Sequence, residues 1–179
     1  MKQYANFTEK QFQAIIESND LLEIKLFQVN DDYFGFPKKK LWIIDGGIEL
    51  KFRNTTFSLA WNPDKATFIF ENKRFDEIYN ENNFTELNAD FIENLNQKKI
   101  TNAELKWLEY DIILDYTMAT KKESKLVELK LEFESNDSIQ IATVFYKLEE
   151  NSSPENYSYD ISGELLIALN NEIEINIVG

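Results

Sequence analysis

At 179 residues, with 43% hydrophobic and 14% aromatic side chains, the chain is long enough to bury a core and too apolar to be disordered. Its 19 Lys and Arg against 32 Asp and Glu leave a net charge of −13, and neither His nor Cys occurs. Those absences remove Cys- and His-ligated zinc, Ser-His-Asp and Cys-His nucleophiles, imidazole proton transfer and thiol redox chemistry.

The N-terminus carries a helix signal. Thr8 stands at a cap position with Gln11 three residues on, Phe7 and Phe12 are placed as a hydrophobic staple, and Phe12, Ile15 and Ile16 share one face. After Ser18-Asn19-Asp20, Leu22, Ile24 and Leu26 alternate with Glu23 and Lys25 as a half-buried strand. Leu41 to Asp45 reads as a strand and Gly46-Gly47 as a tight turn. Ile48, Leu50 and Phe52 then form an inward face, followed by Phe57, Leu59 and Trp61 and by Thr67 to Phe70. This predicts an antiparallel meander.

Residues 72 to 104 lose the period of two. Phe91, Ile92 and Leu95 have helical spacing behind Asn88 as a cap, which predicts a helix of about three turns, and Phe75, Ile78 and Tyr79 form a shorter cluster. Alternation resumes from Leu105 through Tyr110, Ile112, Leu114, Tyr116 and Met118, and again in Val127, Leu129, Leu131 and Phe133. Asn136-Asp137 turns the chain into Ile139, Ile141, Thr143 and Phe145. Beyond a polar loop at residues 149 to 156, Tyr157, Tyr159 and Ile161 and then Leu165, Ile167 and Leu169 alternate. Asn170-Asn171 has the composition of a type I′ hairpin turn leading to Ile173, Ile175 and Ile177.

The expected fold is therefore α+β: mainly antiparallel sheet in meanders and hairpins, each with one solvated face, with an N-terminal and a mid-chain helix packed on the sheet. Residues 1–179 read as one domain. Glu-Leu-Lys recurs at residues 49 to 51 and 128 to 130, each time before a short Asn-containing turn and a second strand, so two halves of about 1–100 and 101–179 are the alternative.

Few features point to chemistry. The five glycines allow neither G-x-x-x-x-G-K-[ST] nor G-x-G-x-x-G. No calcium-loop spacing accompanies Asp31-Asp32 or Asn136-Asp137, so neither cofactor nor metal is expected. Lysines scattered among acids form no basic stripe, which argues against nucleic acid, and no apolar run approaches a membrane span. A secretory leader is not spelled at the N-terminus, the lack of Cys fits a reducing compartment, and abundant Asn, Ile and Lys suit an AT-rich bacterial genome. The expectation is a bacterial cytoplasmic protein.

Two features are candidate partner-binding sites. Asp31, Asp32, Tyr33, Phe34 and Phe36 place three rings among acids, as an aromatic anchor with an acidic rim, a sugar platform, or rings folded back over the sheet. Glu128 and Glu132 belong to a row of charges on a solvated strand face. Trp61 continues the face of Phe57 and Leu59 and reads as core. The leading functional expectation is a non-catalytic binding protein whose acidic surface docks a basic protein, in the manner of an inhibitor or immunity protein. The alternatives are a small-ligand or carbohydrate-binding domain or carboxylate-based enzyme, and a homodimer through the C-terminal strand edge.

Overall fold

Alternating apolar residues in this chain build two sheets packed face to face. The structure, a computed structural model, describes residues 2–18, 20–30, 34–88, 90–114, 119–147 and 154–177. Helix α1 (Lys2–Ser18) leads into β1 (Leu21–Gln28), β2 (Phe34–Phe36), a 3₁₀ turn at Pro37–Lys39 and β3 (Leu41–Ile44). Next come β4 (Gly47–Phe52), β5 (Thr56–Asn62), β6 (Thr67–Glu71), helix α2 (Phe75–Tyr79), β7 (Thr85–Glu86) and a 3₁₀ helix at Asp90–Leu95. The remainder is β8 (Ile100–Leu114), β9 (Ala119–Phe133), β10 (Ser138–Tyr146), β11 (Tyr157–Tyr159), β12 (Glu164–Leu169) and β13 (Ile175–Asn176).

The first sheet has the order β6-β5-β4-β1-β7 and is antiparallel throughout. The second runs β13-β11-β10-β12-β3-β2, with the long β8–β9 pair joined to it through β9 and β10. The main core lies between them. Ile48, Leu50, Phe57 and Leu59 from the first sheet meet Leu129, Leu131, Ile139, Ile141 and Ile167 from the second. Phe12 of α1 plugs the gap, its ring edge-on to Phe57 at 5.1 Å and to Phe70 at 5.4 Å.

This is the expected α+β class, with an N-terminal helix and short mid-chain helices on mainly antiparallel sheet. Several details differ. Helix α1 begins at Lys2, so Thr8 lies inside it and not at its cap; nothing from Lys2 to Phe7 is a Gly or Pro that would stop a helix. The buried stripe of Phe12 and Ile16 is as expected. A bulge between Leu21 and Glu23 changes the parity of β1, so Leu21 is buried with Ile24 and Leu26 while Leu22 is half-exposed. The mid-chain helix is shorter than the spacing suggests. Asp90–Leu95 is a six-residue 3₁₀ helix, closely followed by a left-handed Gln97 at φ 60°, and the Phe75 cluster makes the α-helix.

Neither expected glycine nor asparagine hairpin forms. Gly46-Gly47 carries the chain from β3 in the second sheet to β4 in the first. Neither glycine has positive φ; a Cβ on Gly46 would lie 2.2 Å from the Phe27 carbonyl oxygen, so close approach and not turn conformation demands it. Asn170 is left-handed at φ 50°, but the chain beyond it crosses the sheet, and β13 pairs in parallel with β11.

Nor does each sheet keep one wet face. Leu41, Ile43, Val144, Tyr157, Tyr159 and Leu166 form a second buried cluster on the outer face of the second sheet. Helix α2 covers the outer face of the first, with Phe75 stacked on Phe27 at 4.1 Å.

Candidate functional site

The structure separates the residues proposed from sequence. Asp31, Asp32 and Tyr33 lie outside the described residues. Phe34 is placed by its backbone opposite Ile43, and half-buried Phe36 packs on the outer cluster of the second sheet. Phe36 thus belongs to the folded-back reading of that segment. Glu132 is exposed on β9, whereas Glu128 is withdrawn from solvent at 6% exposure, so the two do not form one solvated row.

Glu128 sits in a buried polar network that fastens the C-terminal segment. Gln140, 4% exposed, donates from Nε2 to Glu128 and to the Ile173 carbonyl at 2.9 Å, and its Oε1 accepts the Ile173 N–H at 2.7 Å. One side chain therefore imitates a strand partner for Ile173. Tyr159 donates to Glu128 at 2.8 Å and accepts from Lys106 Nζ at 3.1 Å. Burial, then the bond to Glu128, pushes the Tyr159 hydroxyl pKa well above its usual value. Every polar group here is occupied by another, so the network is a fastening and not a vacant site.

A second polar constellation is open. At one end of the sandwich, a cleft of about 550 Å³ lies between the residues after β1, the end of β3, β5 and the β10–β12 edge. Two carboxylates stand in it. Leu165 of β12 and Ile44 of β3 are the last pair of their ladder, and the residues just beyond it, Glu164 and Asp45, both line this cleft. They are near enough for the Asp45 charge to act on the Glu164 carboxyl, and like charges so placed repel.

Close packing enforces this placement. A Cβ on Gly163 would come 2.1 Å from the Val144 carbonyl oxygen; the bare glycine lets β12 begin tight against β10, with Glu164 opposite Val144. Tyr146, two residues further along β10, donates its hydroxyl proton to Glu164 Oε2. Burial holds the Glu164 carboxyl above the usual carboxylate range, the Tyr146 bond pulls it down, and the Asp45 charge pushes it up again. Tyr146 is driven far up by burial and by that same bond.

Asp45 is held rigidly. Its Oδ1 accepts the Val29 N–H at 2.8 Å, its Oδ2 accepts the Asn30 N–H at 3.2 Å, and the Asn30 amide donates to Oδ2 as well. Among the described residues no Lys or Arg is paired with either carboxylate. Aromatic rings flank the pair. Phe145 continues the inward face of Ile139, Ile141 and Thr143 beyond the end of the core and is 53% exposed, and Trp61 lines the cleft instead of being wholly buried.

None of Asp45, Tyr146 or Glu164 stands out in the sequence, because Asp45 and Glu164 meet only through the β3–β12 pairing. The sole local hint is Phe145, an apolar residue on an alternating strand beyond the length its neighbours cover. Among the described residues no three acids converge as a metal site would require, and no helix is long and apolar enough to cross a membrane. No family model, curated protein or solved structure matches the chain.

Proposed function

We propose that this chain is a non-catalytic binding protein of a bacterial cytoplasm that docks a basic protein, in the manner of an inhibitor or immunity protein, by receiving one lysine or arginine side chain between Asp45 and Glu164. The observation that carries the reading is that Asp45 and Glu164 line one cleft beside the exposed Phe145 ring, with no Lys or Arg paired to either among the described residues. A cation inserted there relieves the repulsion between the acids, and the aromatic ring contributes apolar contact and cation–π attraction. Anchors of this kind, a charge or ring seated in a partly desolvated pocket, supply most of the energy of many interfaces. The net charge of −13 adds long-range steering of a basic partner.

A carboxylate-based enzyme acting on carbohydrate is the second reading, favoured by the same pair and by Trp61. It is weaker because both Asp45 oxygens already accept amide protons, leaving that carboxylate poorly placed to take a proton or attack.

The test uses short peptides carrying a single arginine and their citrulline counterparts, which keep the shape and lose the charge. Arginine peptides are expected to bind and citrulline peptides to bind at least about ten-fold more weakly, with Glu164→Gln and Phe145→Ser each costing about 2 kcal/mol of affinity. Equal binding of both peptide types, or binding unchanged in both variants, rejects the cleft as a cation receptor. Turnover of an oligosaccharide lost in Glu164→Gln favours the second reading.

A further inference from the structure

A second cleft, of about 520 Å³, opens between β6 and β9 on another side of the sandwich. Its walls differ in kind from those of the Asp45–Glu164 cleft. Consecutive residues 68 to 73 form one wall and residues 123 to 126, with Lys121, the other. In a pleated strand, successive side chains point to opposite faces, so a wall made of consecutive residues is a backbone edge.

Pairing bears this out. β6 pairs with β5 alone among the described strands, and on its other side the one backbone–backbone bond among the described residues is from the Phe68 N–H to the Ile161 carbonyl at 2.9 Å. β9 pairs with β10 from Glu128 to Glu132, but its earlier half, Ala119 to Leu126, pairs among the described residues only with β8. A register shift between Lys106 and Trp107 marks the point where the β8–β9 pair leaves the body of the sheet. The free edge of β9 along the cleft is thus about six residues, or roughly 20 Å, long.

Four of the chain's lysines gather here: Lys65, Lys73, Lys121 and Lys125. They face two acids. Glu71 pairs with Lys73 at 2.6 Å, and Glu123 is shared by Lys121 at 3.1 Å and Lys125 at 3.0 Å. The rim is therefore locally cationic in a strongly acidic molecule. At physiological salt the screening length is about 8 Å, so the rim charges outweigh distant acids for anything seated in the cleft.

The two faces beside the β9 edge are chemically distinct. Lys121, Glu123 and Lys125 share one face, whereas Trp107 and Leu126, directly opposite each other in the β8–β9 ladder, share the other. The Trp107 indole N–H is buried and has no hydrogen-bond partner among the described residues. An unmatched buried donor is unfavourable, and a ligand acceptor would relieve it.

We propose that this cleft binds an extended acidic segment of a partner protein by strand addition to the open edge of β9. Backbone hydrogen bonds to the alternate residues of 121–126 that face away from β8 supply affinity; alternate side chains supply selectivity, acidic ones meeting exposed Lys121, apolar ones lying toward Trp107 and Leu126. An acceptor on the segment takes the Trp107 N–H.

The probe is a peptide of about nine residues alternating glutamate and valine, with two controls: glutamate replaced by lysine, and alternate backbone amides N-methylated so that charge remains and pairing is blocked. Read on the full chain, the acidic peptide is expected to slow exchange about ten-fold at the amides of residues 121–126 that face away from β8 and to shift the Trp107 indole N–H resonance, while neither control does. Lys65→Glu combined with Lys121→Glu, both at exposed positions, lowers affinity about ten-fold or more without changing the melting temperature. Glu164→Gln leaves this binding intact, which separates the two clefts. Unchanged exchange at millimolar peptide, or equal binding of the N-methylated peptide, overturns the proposal.

Discussion

Glu164 carries a charge that its surroundings oppose, and the sign of that opposition is measurable. With its folded pKa raised by burial and by Asp45, Glu164 binds a proton more readily in the native state than in the unfolded one. Its contribution to stability is thus full below the unfolded value of about 4.3 and is lost as pH rises through the higher folded value. Glu164→Gln keeps an acceptor for the Tyr146 hydroxyl and removes the charge. Denaturation at pH 7 is expected to show this variant equal to the parent or stabler by up to about 1 kcal/mol, with a flatter pH profile above pH 4.5. A variant that is less stable at pH 7 by more than that would mean the carboxylate serves the fold and not a ligand. Gln140→Ala makes the opposite case: it unpairs the Ile173 backbone and strips a donor from buried Glu128, at an expected cost of about 2–3 kcal/mol. Urea midpoints and faster exchange at Ile173 check it; a change below about 0.5 kcal/mol would show that the C-terminal segment is held by something else.

At the scale of elements, the strands and the consecutive antiparallel pairings β4–β5–β6 and β9–β10 were legible, and the partners of β3, β12 and β13 were not. Period-two alternation marks β4, β5, β9, β10 and β12 because each buries an inward face, a property of the strand itself. Gly46-Gly47 looks like a hairpin turn because two glycines between two strands say nothing about whether those strands pair. Their actual requirement is the approach of the Phe27 and Leu59 carbonyls, from elements distant in sequence. The two interpretations predict different mutants. A type I′ turn accepts asparagine, whereas here any Cβ at Gly46 collides with backbone, so Gly46→Asn and Gly46→Ala should each cost about 3 kcal/mol or more in chemical denaturation. Tolerance of asparagine alone would restore the hairpin. The candidate site was hidden for the same reason, since Asp45 and Glu164 share no motif and come to one cleft only because β3 pairs with β12 up to Ile44 and Leu165. Glu128 misled in the other direction: alternation places it correctly on the outer face of β9, but cannot say that Tyr159, Gln140 and the C-terminal segment bury that face.

For the whole molecule, the C-terminal edge proposed for dimerisation is β13, two residues long, followed by Ile177 at 61% exposure. So short an edge offers little backbone to a second copy, and a stable interface needs about 1,000 Å² or more of buried area. Solution scattering is therefore expected to give a radius of gyration near about 16 Å over a wide concentration range, and a value near about 20 Å would establish the dimer. The course of the chain also governs how it can be made. Leu41–Ile44, four consecutive buried residues, pair on one side with β12, which is synthesised about 120 residues later. At roughly 5–20 residues per second, the ribosome holds that hydrophobic strand without this neighbour for about 6–24 s. Nascent chains stalled before β12 should accordingly be captured by holdase chaperones through Leu41–Ile44, and released once Leu169 has emerged.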